Sequence, residues 1–166
     1  MTAKKKVTAE EMAAHLLEVI EAGQLDELLL TFSEDLGLSQ DFFFSFGPQF
    51  ELALLKNFII SSGLKGIFAE NQSADVAAHL LAHFIKSARR QWTLESEVVR
   101  EEWTMAFEEY ETARKQGLPF FCRYALNRML RVDAELKNPA TIEAFSKWME
   151  SNGRELQKQL SEFELI

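Results

Sequence analysis

The amino-acid sequence predicts an all-α protein. Apolar residues recur at helical period along nearly the whole chain, only three prolines and seven glycines occur, and they fall between the periodic segments. With 166 residues, 47% of them apolar, the chain is long enough to bury a core without metal or disulfide staples.

Each element carries a local signal. Thr8-Ala9-Glu10-Glu11 is a capping box, so a helix is predicted over about 9–22, with Met12, Leu16, Val19 and Ile20 on one face and Gly23 just past its end. Asp26 is placed to cap a second helix to about Asp35, which Gly37 breaks. Ser39 caps a third, Gln40 to Phe46, and Pro48 opens a fourth that reaches about Ser62 before Gly63. After a loop around Lys65 to Gln72, Ser73 caps a helix to about Trp92. Thr93 opens a long acidic helix ending at Gly117, and Pro119 starts another. Asn138-Pro139 begins a last helical segment, with Gly153 a point of division before Phe163.

Composition narrows the function classes. Eighteen Lys+Arg against 26 Asp+Glu leave a net charge of −8, which excludes a surface that is one electrostatic footprint for nucleic acid. The single cysteine, Cys122, has no internal partner, so a secreted disulfide scaffold is excluded and a cytoplasmic protein with a buried, inert thiol is expected. No stretch approaches the roughly 18 apolar residues of a membrane span, and the Met1 to Lys6 start leads into no apolar leader-like run.

The stretch from Ala14 to Gly23, through Asp35-Leu36-Gly37-Leu38-Ser39, to Phe44-Ser45-Phe46 has a particular spacing. Short helices flank a four-residue turn, Gly23 and Gly37 are separated by fourteen positions, and Leu38-Ser39 follow. This resembles the N-terminal helix-turn-helix domain of TetR-type transcriptional regulators over residues 8–62, about a third of the chain. The resemblance implies a DNA-reading head at 1–62 and a ligand-binding, dimerising helical-bundle body at 63–166. The residues it points to for DNA are Lys4, Lys5, Lys6, Ser39, Gln40, Phe44 and Ser45. The reading segment departs from the family in having no basic residue, a carboxylate at Asp41 and four phenylalanines, Phe42, Phe43, Phe44 and Phe46.

Other candidates lie in the body. His79 and His83, four apart on one helix face, could share a metal, but no metalloprotease or di-iron signature accompanies them. The resemblance instead implies an effector cavity beside that helix, with His79, His83, Trp103 and Cys122 as its candidate lining. The acids Glu95, Glu97, Glu101, Glu102, Glu108, Glu109 and Glu111 alternate with apolar residues at helical period and read as a solvated face. Arg123, Asn127 and Arg131, with Lys137 nearby, form a basic stripe expected to pair with that acidic helix. Phe145, Trp148, Met149 and Leu156 form an apolar stripe broader than one helix is expected to bury against a small body, which predicts a homodimer. No nucleophile with a base, phosphate-cradling loop or metal cage is apparent, so no enzyme activity, cofactor or metal is assigned.

Three functional readings result. The first is a TetR-like regulator with a degenerate reading helix, its operator and effector unspecified. The second is a TetR-fold protein without DNA binding, acting on a protein partner or an apolar, lipid-like ligand, as in proteins resembling the accessory factors of ubiquinone biosynthesis. The third is a small acidic inhibitor or immunity-type protein.

Overall fold

The computed structural model describes residues 3–133 and 139–166, and these are mostly helical, as the sequence predicts. In chain order the elements are β1 (Lys5–Val7), α1 (Ala9–Ala22), α2 (Leu25–Asp35), α3 (Gln40–Phe43) and α4 (Phe46–Leu64). There follow α5 (Glu70–Trp92), α6 (Ser96–Lys115), α7 (Leu118–Leu130), α8 (Pro139–Leu160) and β2 (Phe163–Leu165). The predicted cap Asn138 and the nearby Lys137 lie outside the described residues.

Local chemistry sets the helix starts. At α1 the Thr8 hydroxyl accepts from the Glu11 amide while the Glu11 carboxylate accepts from the Thr8 amide at 2.8 Å, the reciprocal arrangement the sequence predicts. Ser39 accepts from the Phe42 amide at α3. Other boundaries shift. The left-handed residue between α1 and α2 is Gln24 (φ 58°), so Asp26 sits in the first turn of α2 rather than capping it. Thr93 is likewise left-handed and ends α5, while α6 starts at Ser96. Neither Gly63 nor Gly153 interrupts its helix.

Helix α4 is the axis of the fold. Phe50, Leu54, Leu55, Phe58 and Ile60 are buried on several sides of it, the pattern of a helix surrounded by others. It packs against α1, α5, α6, α7 and α8, while α1 lies chiefly on α5. Phe58 meets the rings of Phe107, Tyr110 and Phe121 at centroid distances of 5.2–5.6 Å, which ties α4 to α6 and α7.

One hydrophobic core runs from Val7 to Leu165. The boundary expected between 62 and 63 therefore falls inside α4 and inside that core. Burial of α1 and α4 against the body is the reason: their apolar faces are covered by α5, α7 and α8 rather than by α2 and α3 alone.

The sequence pattern did not predict the two strands. β1 and β2 pair in parallel, Lys5 with Phe163 and Val7 with Leu165, and the Lys5 amide donates to the Glu162 carbonyl at 2.9 Å. Val7 and Leu165 are buried, and the Gln72 side chain donates to the Leu165 carbonyl. No helix among the described residues is long and apolar enough to cross a membrane.

Candidate functional site

An open apolar groove of about 360 Å³ lies between the C-terminal end of α1, the second half of α4, and α8. Its walls include Val19, Ile20, Ile59, Ile60, Trp148 and Met149. Glycines shape it. A Cβ on Gly63 would stand 2.6 Å from Leu156 Cδ2, so the missing side chain lets α4 and α8 approach closely. Gly23 has ordinary helical φ; its carbonyl accepts from the Trp148 indole N–H at 3.0 Å, and a Cβ there would crowd Asn152 Oδ1 at 3.2 Å and the Ile20 carbonyl at 3.3 Å.

Gly153 is different. It sits in the interior of α8 and lines the groove, yet a Cβ there would meet nothing within 4 Å. Glycine in a helix interior costs roughly 0.5–1 kcal/mol relative to alanine, and no contact among the described residues accounts for it here. Asn152, Gln157 and Gln159 add amide groups to the otherwise apolar lining.

On the other flank of α1 a more polar cleft of about 420 Å³ opens between α1, α4 and α5. Lys56 projects into it from the buried helix α4, its ammonium 2.8 Å from Glu21 and 2.5 Å from Asp26. This clamp ties the α1–α2 turn to α4. Neither sequence spacing nor a motif marked it, although a charged residue inside the apolar run Leu52 to Ile60 was the available signal.

Three of the expected DNA-reading residues make local hydrogen bonds. Ser39 caps α3, Gln40 donates to Glu34 at 2.6 Å, and the Ser45 hydroxyl donates to the Phe42 carbonyl at 2.6 Å. Helix α3 is a single turn, ending at Phe43 rather than Phe46, with Phe43 buried and Phe44 59% exposed. Lys5 and Lys6 belong to β1, and the Lys5 ammonium lies 5.7 Å from the centroid of the Phe163 ring. Lys5 and Lys6 are thus held by pairing with β2, and Lys4 immediately precedes them, exposed.

The expected effector lining does not gather round one cavity. His79 is half-buried, and His83 is exposed and borders the Lys56 cleft. Trp103 stacks on Phe107 at 4.3 Å in the core. Cys122 is fully buried, and burial pushes its thiol up to about 11. These side chains leave three different helices, and the packing of α6 and α7 onto α4 turns Trp103 and Cys122 into the core. Among the described residues no three or more His, Cys, Asp or Glu side chains come together to hold a metal.

Much of the stripe expected to form a dimer face is covered within the protomer. Phe145 and Leu156 are buried within the protomer, and Trp148 and Met149 are half-buried in the groove. The stripe that called for a second copy is covered largely by α4, α7 and α1 of the same chain.

A polar network joins α4, α6 and α7. Arg128 of α7 bonds Glu51 at 2.6 Å and also pairs with Glu109, which accepts from the Tyr124 hydroxyl. Pairing with the acidic helix was expected of Arg123, Asn127 and Arg131; Arg128, outside that stripe, pairs with Glu109 of that helix. Burial pushes the Glu51 carboxyl above its ordinary range against the pull of Arg128. Burial also pushes the Tyr110 phenol far up, and burial together with the bond to Glu109 raises Tyr124.

A phenol whose pKa is raised by folding contributes stability that is present below its unfolded value, about 10, and lost as pH rises beyond it. Tyrosinate absorbance is therefore expected to lag that of free tyrosine and to appear with the loss of helical circular dichroism. In Tyr124→Phe the remaining phenol is Tyr110, and its ionisation should coincide with unfolding. Ionisation near pH 10 in a fully helical protein would contradict its burial.

No family model, curated protein or solved structure matches this chain.

Proposed function

We propose that the chain is a TetR-like helical module that does not read DNA and instead binds an apolar small molecule, of acyl-chain or aromatic type, in the groove between α1, α4 and α8. The observation that carries this reading is Gly153. A mid-helix glycine with open space over it, on the wall of an apolar groove, is accounted for by an occupant. A volume of about 360 Å³ is within the size of small-molecule sites, and the amide-bearing lining suits a ligand with one polar end. The local bonding of Ser39, Gln40 and Ser45, beside Glu34 and Asp41, supports the loss of DNA reading, since base edges and phosphates need donors that are uncommitted.

Medium-chain fatty acids, decanoate first, are the probe, followed by Trp148 fluorescence and calorimetry, with Trp148→Phe identifying the reporter. Gly153→Ala is expected to raise the unfolding free energy by roughly 0.5–1 kcal/mol while weakening binding, and Gly153→Leu to abolish binding with the fold intact. Decanoate affinity unchanged in Gly153→Leu would overturn the reading. So would nanomolar, sequence-selective binding of duplex DNA by the unmodified protein, since non-specific affinities lie around 10⁻⁴–10⁻⁶ M.

A further inference from the structure

Among the described residues, helix α6 has one face that no other element covers. Val99, Trp103, Ala106, Tyr110 and Ala113 are its buried side. On the outward side Val98, Met105 and Thr112 recur every seven positions, two turns of helix, and so stand in one line. Val98 is 46% and Met105 48% exposed, two of the few large apolar side chains on the surface. Helical geometry puts Glu101 and Glu108 along one flank of this line and Glu102 and Glu109 along the other. Arg100 and Arg114 leave the helix on other sides, Arg114 bonding Glu111, while Lys115 ends the row of Glu101 and Glu108. The face is therefore an apolar ridge between two rows of carboxylates.

The C-terminal end of the ridge runs into a shallow hollow of about 380 Å³ against α7, lined by Glu108, Glu109, Thr112, Gln116, Phe120 and Tyr124. Arg128 and the Tyr124 hydroxyl hold Glu109, and the Arg123 guanidinium lies 4.9 Å from the Phe120 ring centroid, so Glu108 is the carboxylate there that faces a ligand cation. A lysine or arginine of a partner would meet the Glu108 carboxylate, with its alkyl stem along the apolar wall of the hollow. The two features match one occupant in chemistry as well as in spacing.

We infer that the outward face of α6 docks a basic amphipathic helix of a protein partner. Its apolar residues, two turns apart, would seat beside Val98 and Met105, its flanking cations would face the glutamate rows, and one long cation would enter the Phe120–Tyr124 hollow. The charge of the whole chain, −8, favours approach of such a segment. This surface is formed by α6 and α7, apart from the groove residues of α1, α4 and α8, so the two sites fail or stand separately.

The probe is a synthetic helical peptide with leucines in one stripe, two turns apart, and lysine or arginine on both flanks, measured against the intact chain by fluorescence anisotropy. An isomer of the same composition with its leucines scattered round the helix is the control. Micromolar binding of the striped peptide is expected, at least tenfold weaker for the scattered one. Val98→Glu with Met105→Glu makes the face more acidic but removes the ridge, and should lose tenfold or more. Glu101→Gln with Glu108→Gln should lose affinity and flatten the salt dependence. Circular dichroism and urea midpoints confirm that these surface variants fold, and the second pair serves if the first does not.

Equal binding of both peptides, competition by spermine at the same charge concentration, or tighter binding by the Val98/Met105 glutamate variant would reduce the effect to charge and overturn the proposal. Self-association abolished by that same variant would also overturn it, making a second copy the occupant through its exposed Lys86, Arg89 and Arg90.

Discussion

Replacing Phe145 with alanine is expected to lower the unfolding free energy by about 3–5 kcal/mol, the cost of emptying an aromatic-sized space in a packed core. The ring is wholly buried, 6.2 Å by centroid from Trp148, on a helix packed against α4 and α7. Since domains of this kind hold a margin of about 5–15 kcal/mol, the loss takes a large share of it. The same substitution separates a core residue from an interface residue. If Phe145 supports the protomer alone, the urea midpoint shifts equally at micromolar and at hundredfold higher concentration. A midpoint that rises with concentration in the native protein and no longer does so in the variant would return Phe145 to a subunit interface. Phe145→Leu, which leaves a smaller space, provides the same comparison if the alanine variant does not fold.

Removing both carboxylates from Lys56, by Glu21→Gln with Asp26→Asn, is expected to cost about 3 kcal/mol, because an ammonium is left in a low-dielectric site without its counterions. The Lys56 side chain is only 11% exposed, whereas those of Glu21 and Asp26 are 65% and 48% exposed. That asymmetry keeps the cost near the lower end for a broken buried pair, since water can reach the gap. It also predicts a different outcome for the reverse change. Lys56→Met keeps the stem's volume and leaves two carboxylates that water can hydrate, so its effect should stay within about 1 kcal/mol. Chemical denaturation of both variants at low and high salt measures the difference. If Lys56→Met proves as destabilising as the double variant, the ammonium is a net source of stability, and the clamp is more than a compensated burial.

The capping box at Thr8, the serine cap at Ser39 and the buried face of α1 were legible because each depends on residues three or four apart. Gly37 was read correctly as a turn residue: its φ of 78° is a left-handed conformation that glycine adopts without strain. Gly23 stands just past the end of α1 as the sequence predicts, but the left-handed position passes to Gln24, and a side chain on Gly23 would crowd Asn152 of α8, far along the chain. Spacing records that a glycine is present, not which partner needs it bare.

The same division runs through the candidate sites. The sequence by itself determined that the protein is helical, that α6 carries its acids outward, and that α8 has an apolar stripe, since all three are properties of one helix. Only the tertiary structure decided that the stripe is covered mainly from within the protomer, that His79, His83, Trp103 and Cys122 do not share a cavity, and that the N-terminal lysines are held in a strand. Periodicity fixes which face of a helix is apolar through contacts one turn apart. Which surface covers that face, and which charges meet across it, depends on packing between segments far apart in the chain, as when Lys56 meets Glu21 across 35 residues. That information resides in the joint fit of all the helices, and a single helix carries only half of each contact.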